Sequence, residues 1–179
     1  MKQSGVTFLE LMVVLAVSAI LLGVGVPSFA AIAGSNRLIN ATNEVVSSLH
    51  LARSEAIKRN SRVVMCLSAT GASCTDSGGW QQGWLVFHDV NNNAALDSGE
   101  AVILTRQAFQ TGLRLTGNPS VSKYISYAPS GASKLISGAF QAGTLTLCNE
   151  SDSSGTGRQI VISSTGRPRT AKVTLASCP

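Results

Sequence analysis

The sequence predicts an α+β protein, a long N-terminal hydrophobic and then amphipathic helix packed on a mostly antiparallel β-sheet head. Two observations carry this. Residues 11–34 hold no charged side chain, and the apolar residues after them recur at helical spacing. From residue 62 onward the chain breaks into short β-branched and apolar runs separated by Gly, Ser, Asn and Asp clusters.

The helix comes first. Met1 to Gly5 is short and polar with a single cation, Lys2, and is followed by Val6, Thr7, Phe8, Leu9 and Glu10. The apolar run Leu11–Gly34 exceeds the about 20 residues that a membrane-spanning helix needs. A carboxylate at its head is costly, on the order of 3 kcal/mol if placed centrally in a bilayer, and an acid in such a place is by default functional. A cleaved secretory signal fits poorly: the basic region is one lysine, an acid opens the apolar run, and the helical pattern continues past the point where a cut would fall. Gly23, Gly25 and Pro27 interrupt the apolar half, and a kink or local melting is expected there. Beyond it, Leu38, Val45, Leu49, Ala52 and Ala56 form one apolar stripe, with Asn36, Arg37, Asn40, Asn43 and Glu44 largely off it. This second half is the part able to pack on a head domain.

The strands follow in order: Arg62–Ser68, Gly83–His88, Ala101–Gln107, Leu113–Thr116, Tyr124–Ala128, Thr144–Asn149, Gln159–Ser164 and Thr170–Ala176. Alternation is clearest in Thr144-Leu145-Thr146-Leu147 and in Lys172-Val173-Thr174-Leu175. Asp76-Ser77-Gly78-Gly79, Ser151–Gly157 and Thr165-Gly166 are turn chemistry, and there is no internal repeat. The 4 cysteines, Cys66, Cys74, Cys148 and Cys178, follow an export-type N-terminus, which points to disulfides in an oxidising compartment. Three pairings are possible. Cys66–Cys74, closing a short loop after a strand, and Cys148–Cys178, tethering the C-terminus, are favoured. The spacings lack a C-x-x-C pair, so no metal site is assigned.

Gly5, then Val6-Thr7-Phe8-Leu9-Glu10, then a long apolar helix resembles the class III leader of type IV pilins and pseudopilins. That resemblance implies a dedicated prepilin peptidase that cuts between Gly5 and Val6 and methylates the new N-terminus. Val6 stands where the family usually has phenylalanine; the glycine and the glutamate are in place. It further implies that Glu10 orders assembly by pairing with the N-terminal amine of a neighbouring subunit, a setting in which a buried carboxylate is tolerated. Ala52-Arg53-Ser54-Glu55-Ala56, Trp80-Gln81-Gln82-Gly83-Trp84 and Asp89-Val90-Asn91-Asn92-Asn93 resemble the minor pilins of the FimT/FimU type and the related minor pseudopilin of type II secretion, GspH. The likeness covers essentially the whole chain and is loosest between residues 110 and 145. It implies a leader at 1–5, a membrane and filament-core half of the stem at 6–34, an amphipathic half at 35–61, and a periplasmic head at 62–179 made of two small sheets. It also implies single-pass insertion in the inner membrane before assembly, then a place in the pilus fibre or at its tip beside other major and minor pilins.

The charge balance is modest: Lys+Arg 14 against Asp+Glu 9 gives +5. Its distribution says more, because Arg158, Arg167, Arg169 and Lys172 lie in a C-terminal stretch without an acid. Arg167 and Arg169 flank Pro168 after the turn glycine Gly166, and residues two apart in an extended stretch face the same way. Arginine grips phosphate through a planar fork. The Gly-Arg-x-Arg pattern is similar to the C-terminal motif of FimT-type pilins, which implies sequence-blind DNA binding during uptake, with Lys172 and Arg158 close by. Three or four phosphate contacts would give log K against log salt a slope of about −3. The second basic group, Arg53, Lys58, Arg59 and Arg62, reads as cations favoured at a helix C-terminus. Asp89, Asn91, Asn93 and Glu100 fall on positions of a calcium-loop pattern, but Ala94 stands where that loop needs glycine, so an Asn-rich hairpin loop is the reading. His50 and His88 lack a ligand-spaced partner, Trp80 and Trp84 read as core, and no nucleophile–base–acid set exists, so neither an enzyme nor a cofactor is expected. A pseudopilin of a type II secretion system, or a structural tip subunit without a ligand, are the alternatives to a DNA-binding pilin.

Overall fold

The structure, a computed structural model, describes Gly5 and residues 7–150 and 155–179, with the backbone alone for 24–28, 30 and 31. Lys2, Val6 and residues 151–154 of the expected Ser151–Gly157 loop lie outside the described residues. The elements in chain order are α1 (Phe8–Arg59), β1 (Val63–Leu67), β2 (Trp84–His88), β3 (Val102–Arg106), β4 (Leu113–Gly117), β5 (Tyr124–Tyr127), β6 (Gly143–Asn149), β7 (Gly155–Ile162) and β8 (Pro168–Leu175). The chain divides into two compact units, one ending at Arg37 and one starting at Leu38.

In the first unit, Thr7 caps the helix, its Oγ1 accepting from the Glu10 N–H at 3.3 Å. The backbone stays helical through Gly23 to Pro27, so the local melting expected there does not occur. Proline removes one ladder bond, and the helix continues on both sides of it. Phe8, Leu9, Leu11, Met12 and Ile20 to Leu22 are exposed. Among the described residues, no helix is long and apolar enough to cross a membrane.

In the second unit, α1 contributes Leu38, Ala41, Val45, Leu49, Ala52 and Ala56, all buried. The i, i+3/i+4/i+7 spacing puts these side chains on one stripe. The strands form two four-stranded sheets, β3-β2-β1-β5 and β4-β6-β7-β8. All named pairings are antiparallel, as the hairpin-like sequence predicts. The inner faces, with Met65, Val86 and Ile125 from the first sheet and Leu115, Leu147 and Ile160 from the second, share one core with the helix stripe. Buried helix hydroxyls are satisfied locally: Thr42 Oγ1 donates to the Leu38 carbonyl at 2.6 Å, and Ser48 to that of Glu44.

The outer faces differ. That of the first sheet is covered: Val64, Cys66, Leu85 and Phe87 form a second cluster with Tyr124 of β5 and with Cys74, Ala94 and Leu96 from the loops. A disulfide between Cys66 and Cys74 pins one of those loops. On the outer face of the second sheet Arg114, Val161, Arg169 and Ala171 are exposed, while Cys148 is buried and bonded to Cys178. Alternation is clearest in β6, with Leu145 and Leu147 inward and Thr144 and Thr146 outward.

Two strands start earlier than their sequence suggests. Gly155-Thr156-Gly157 reads as loop but pairs with Leu175, Thr174 and Val173, and Pro168 opens β8 opposite Ile162. Because β8 is the edge strand, its first residue tolerates a missing donor.

Tyr127 is fully buried, and its hydroxyl has no hydrogen-bond partner among the described residues. Burial raises its ionisation well above the ordinary tyrosine range, with Arg53 opposing. The neutral phenol belongs to the fold, so this contribution is intact below the ordinary value of about 10 and is lost as pH rises beyond it. Tyr127→Phe should leave stability at neutral pH unchanged or raised by about 1 kcal/mol, because no partner is lost. It should also flatten the fall of Tm in alkali; a clear loss of Tm at neutral pH would contradict the unpaired hydroxyl.

Candidate nucleic-acid interface

The hairpin between β7 and β8 carries the arginine motif. Gly166 takes a φ of 78°, which L side chains rarely adopt, and its N–H donates to the Ser163 carbonyl at 2.8 Å. A β-carbon at Gly166 would stand 2.2 Å from the Gly131 carbonyl oxygen and 3.0 Å from the Tyr127 ring. One at Gly131 would meet Ile57 at 2.9 Å and Arg53 at 3.1 Å. The turn is therefore seated, through two glycines, on the loop after β5 and on the last turns of α1.

From that seat Arg167 and Arg169 are exposed while Pro168 between them is buried. The β7–β8 register is regular from Gly155↔Leu175 to Ile162↔Pro168, so side-chain faces follow directly from parity. Arg169 stands opposite Val161 on the outer face, and Arg167 shares its parity. Lys172 does not. It is three residues from Arg169, faces Arg158 across the ladder, and this pair lies on the inner side in line with Leu147. The structure thus divides the four basic residues two and two, and the sequence expectation of one cluster is corrected: an odd spacing in a strand reverses the face. Two like charges directly opposite each other are mildly unfavourable, which leaves Arg158–Lys172 without a stabilising role in the ladder. Among the described residues, none of these four side chains has a hydrogen-bond or ion-pair partner.

A second disulfide joins Cys148 on β6 to Cys178, closing the segment that carries all four. The outer face also presents Arg114, which sequence reading passed over. It stands opposite Cys148 on β4, and the alternation of Leu113-Arg114-Leu115-Thr116 was the available signal.

The other sequence candidates have structural occupations. Lys58 and Arg59 sit in the last turn of α1 and pair with Glu55, at 3.5 and 2.6 Å. Arg59 chiefly holds the Glu55 carboxyl below its usual range. Arg62 lies past the helix and clamps two loops: Nε donates to Asn92 Oδ1 at 3.0 Å, and Nη1 to Ser126 Oγ at 2.7 Å and the Lys134 carbonyl at 3.0 Å. In the Asp89–Glu100 loop the carboxylates close the loop on itself. Buried Asp89 accepts from the Asn93 and Ala94 N–H groups, Glu100 from those of Val90 and Asp97, and Asp97 from the Asn91 and Asn93 amides. Those two amides also hold the Asp97 carboxyl below its usual range. No group of potential metal ligands stands together among the described residues. Trp80 is core, its Nε1 donating to the Val121 carbonyl at 2.9 Å, and Trp84 packs edge-on against Phe109.

Comparison with known proteins agrees with this architecture. Residues 41–166 match the family described as type II transport protein GspH, and residues 1–26 match the prokaryotic N-terminal methylation motif. The pilin-like protein PilA1 of Thermus thermophilus is 30% identical over 175 residues, spanning 94% of this chain and 99% of that protein. The crystal structure of the type IV minor pilin FimU of Pseudomonas aeruginosa superposes with a TM-score of 0.59 at 21% identity, over 81% of this chain and 97% of that one. The minor pseudopilin EpsH of the Vibrio cholerae type 2 secretion system gives a TM-score of 0.50 at 9% identity, over 76% and 96% of the two chains. At these identities the two structures speak for the fold alone.

Gly166→Ala tests the seat. The added methyl meets backbone rather than a flexible side-chain end, and the positive φ is strained, so a loss of about 1–3 kcal/mol is expected by denaturant titration. Thr165→Ala, exposed in the same turn, should cost under about 1 kcal/mol.

Proposed function

The chain belongs to the GspH family of minor pilins and pseudopilins, whose members are structural subunits rather than enzymes, and from that footing we propose that it is a minor pilin of a type IV pilus that also holds DNA. It is made as a precursor, inserted by its stem in the inner membrane with the head in the periplasm, cut by prepilin peptidase between Gly5 and Val6, and methylated on Val6. Glu10 then pairs with the N-terminal amine of a neighbouring pilin. The match to the N-terminal methylation motif carries this part of the reading. The exposed apolar side chains from Phe8 to Leu22 support it, because so much apolar surface calls for cover by a bilayer or by neighbouring stems.

The DNA part rests on Arg167 and Arg169, two exposed guanidiniums on one face of the sheet, without a hydrogen-bond or ion-pair partner among the described residues. Binding is sequence-blind, since phosphates and not base edges are the ligands. Lys172 and Arg158 face the other way and are assigned a lesser part. A pseudopilin of a type II secretion system is the second reading, favoured by the family match itself. Gene neighbourhood separates the two, as does the phenotype of a deletion: lost pili and DNA uptake, or lost protein secretion.

Two measurements test the proposal. Mass spectrometry of the mature protein should find Val6 as a methylated N-terminus, and Glu10→Ala should leave precursor cutting intact while removing the subunit from sheared fibres. Material beginning at Met1, or unimpaired incorporation of the variant, would overturn the assembly role. Arg167→Gln with Arg169→Gln should abolish a DNA gel shift without lowering Tm; an unchanged shift removes the DNA role and leaves a purely structural subunit.

A further inference from the structure

The two arginines occupy one corner of a larger surface. Across the second sheet, Arg114 stands opposite Cys148, Thr116 opposite Thr146, Gln159 and Ala171 in turn, and Thr144 opposite Val161 and then Arg169. Val173 and Leu175, opposite Gly157 and Gly155, share this parity at the end of the sheet where Cys148 is bonded to Cys178. The four strands together contain Arg114, Arg158, Arg169 and Lys172 and no Asp or Glu. The nearest following acid is Glu150, one residue past β6, with its N–H on the Gly112 carbonyl. The strands also contain no aromatic residue, whereas β2 and β5 of the covered sheet hold Trp84, Phe87, Tyr124 and Tyr127.

We propose that the diagonal of this outer face from Arg114 to the hairpin is a track for the sugar–phosphate backbone of a nucleic-acid duplex, with Arg114 as its second anchor at the corner opposite Arg167 and Arg169. The proposal rests on the DNA reading above and extends it to a residue outside the arginine motif. Arg114 and Arg169 are three strand spacings apart and offset by four residues along the strands, which places them about 20 Å from each other. That separation suits contacts to phosphates well apart on one duplex, with the shorter Thr and Gln side chains between them as neutral hydrogen-bond donors. A face without carboxylates imposes no repulsion along the path. A face without aromatics offers no stacking platform, which favours a duplex over a single strand. The rival role for an arginine on the edge strand β4 is protection of an open sheet edge, and that role is indifferent to DNA.

The test measures binding of the full-length protein in detergent to a short mixed-sequence DNA duplex across a range of salt. With Arg114, Arg167 and Arg169 engaged, log K should fall with log salt at a slope of about −3. Arg114→Gln should weaken binding about five- to tenfold and bring the slope to about −2. Arg114→Lys should restore the slope, and Lys123→Gln, which removes one charge beside the first sheet, should leave both quantities unchanged. Tm checks that each variant is folded. If Arg167→Gln with Arg169→Gln loses binding while Arg114→Gln matches the parent, the track is overturned and the motif stands alone. If Lys123→Gln weakens binding as much as Arg114→Gln, net charge is responsible and the track is again overturned. If the parent protein ignores DNA but retains an acidic polypeptide in the same assay, the nucleic-acid reading falls and the track falls with it. Preference for single strands over the duplex would also sink the assignment.

Discussion

Everything in the head depends on one shared burial. Val45, Leu49, Ala52 and Ala56 are wholly removed from solvent, and the inner faces of both sheets close on them. On their inner faces both sheets pack into one cluster with this stripe, Trp80 and Val121. Leu49, Ala52 and Ala56 lie in the same buried cluster as side chains from both sheets. The C-terminal half of α1 serves as the third layer of the core.

The two sheets use that core alike on the inside and differ on the outside. Loops 69–79 and 89–100 fold back over the first sheet and bury a second apolar cluster, held by the Cys66–Cys74 bond and by carboxylates that cap the loop's own N–H groups. The second sheet turns Thr144, Thr146, Gln159, Arg114 and Arg169 outward, together with Val161, Ala171, Val173 and Leu175. Much of that face is exposed, and it carries an arginine on each of its two edge strands.

Much of this was legible in the chain. The stripe Leu38, Val45, Leu49, Ala52 and Ala56 follows from periodicity alone, and it is the stripe that the core buries. All eight strand regions have counterparts in the structure, because alternation and turn residues are local signals. What failed was either masked locally or decided at a distance. Gly155-Thr156-Gly157 has turn composition and is held extended only by its ladder with β8. The division of the basic residues over two faces required knowing that β8 continues without a bulge through Arg169 to Lys172. Arg62 sits next to helix-terminal cations in sequence, yet its partners are 30 to 73 residues away. Arg114, isolated in sequence from other charges, joins a surface only when β4 is placed three strands from β8.

The ladder between β7 and β8 has one more consequence. A polymer held at Arg167 and Arg169 and pulled along the strand axis would load β8 in shear, so its eight paired positions would resist together and not one after another. Just beyond that ladder the chain is fastened covalently to β6 through Cys178. Tension entering at the hairpin would thereby be spread over a sheet and end in a covalent bond.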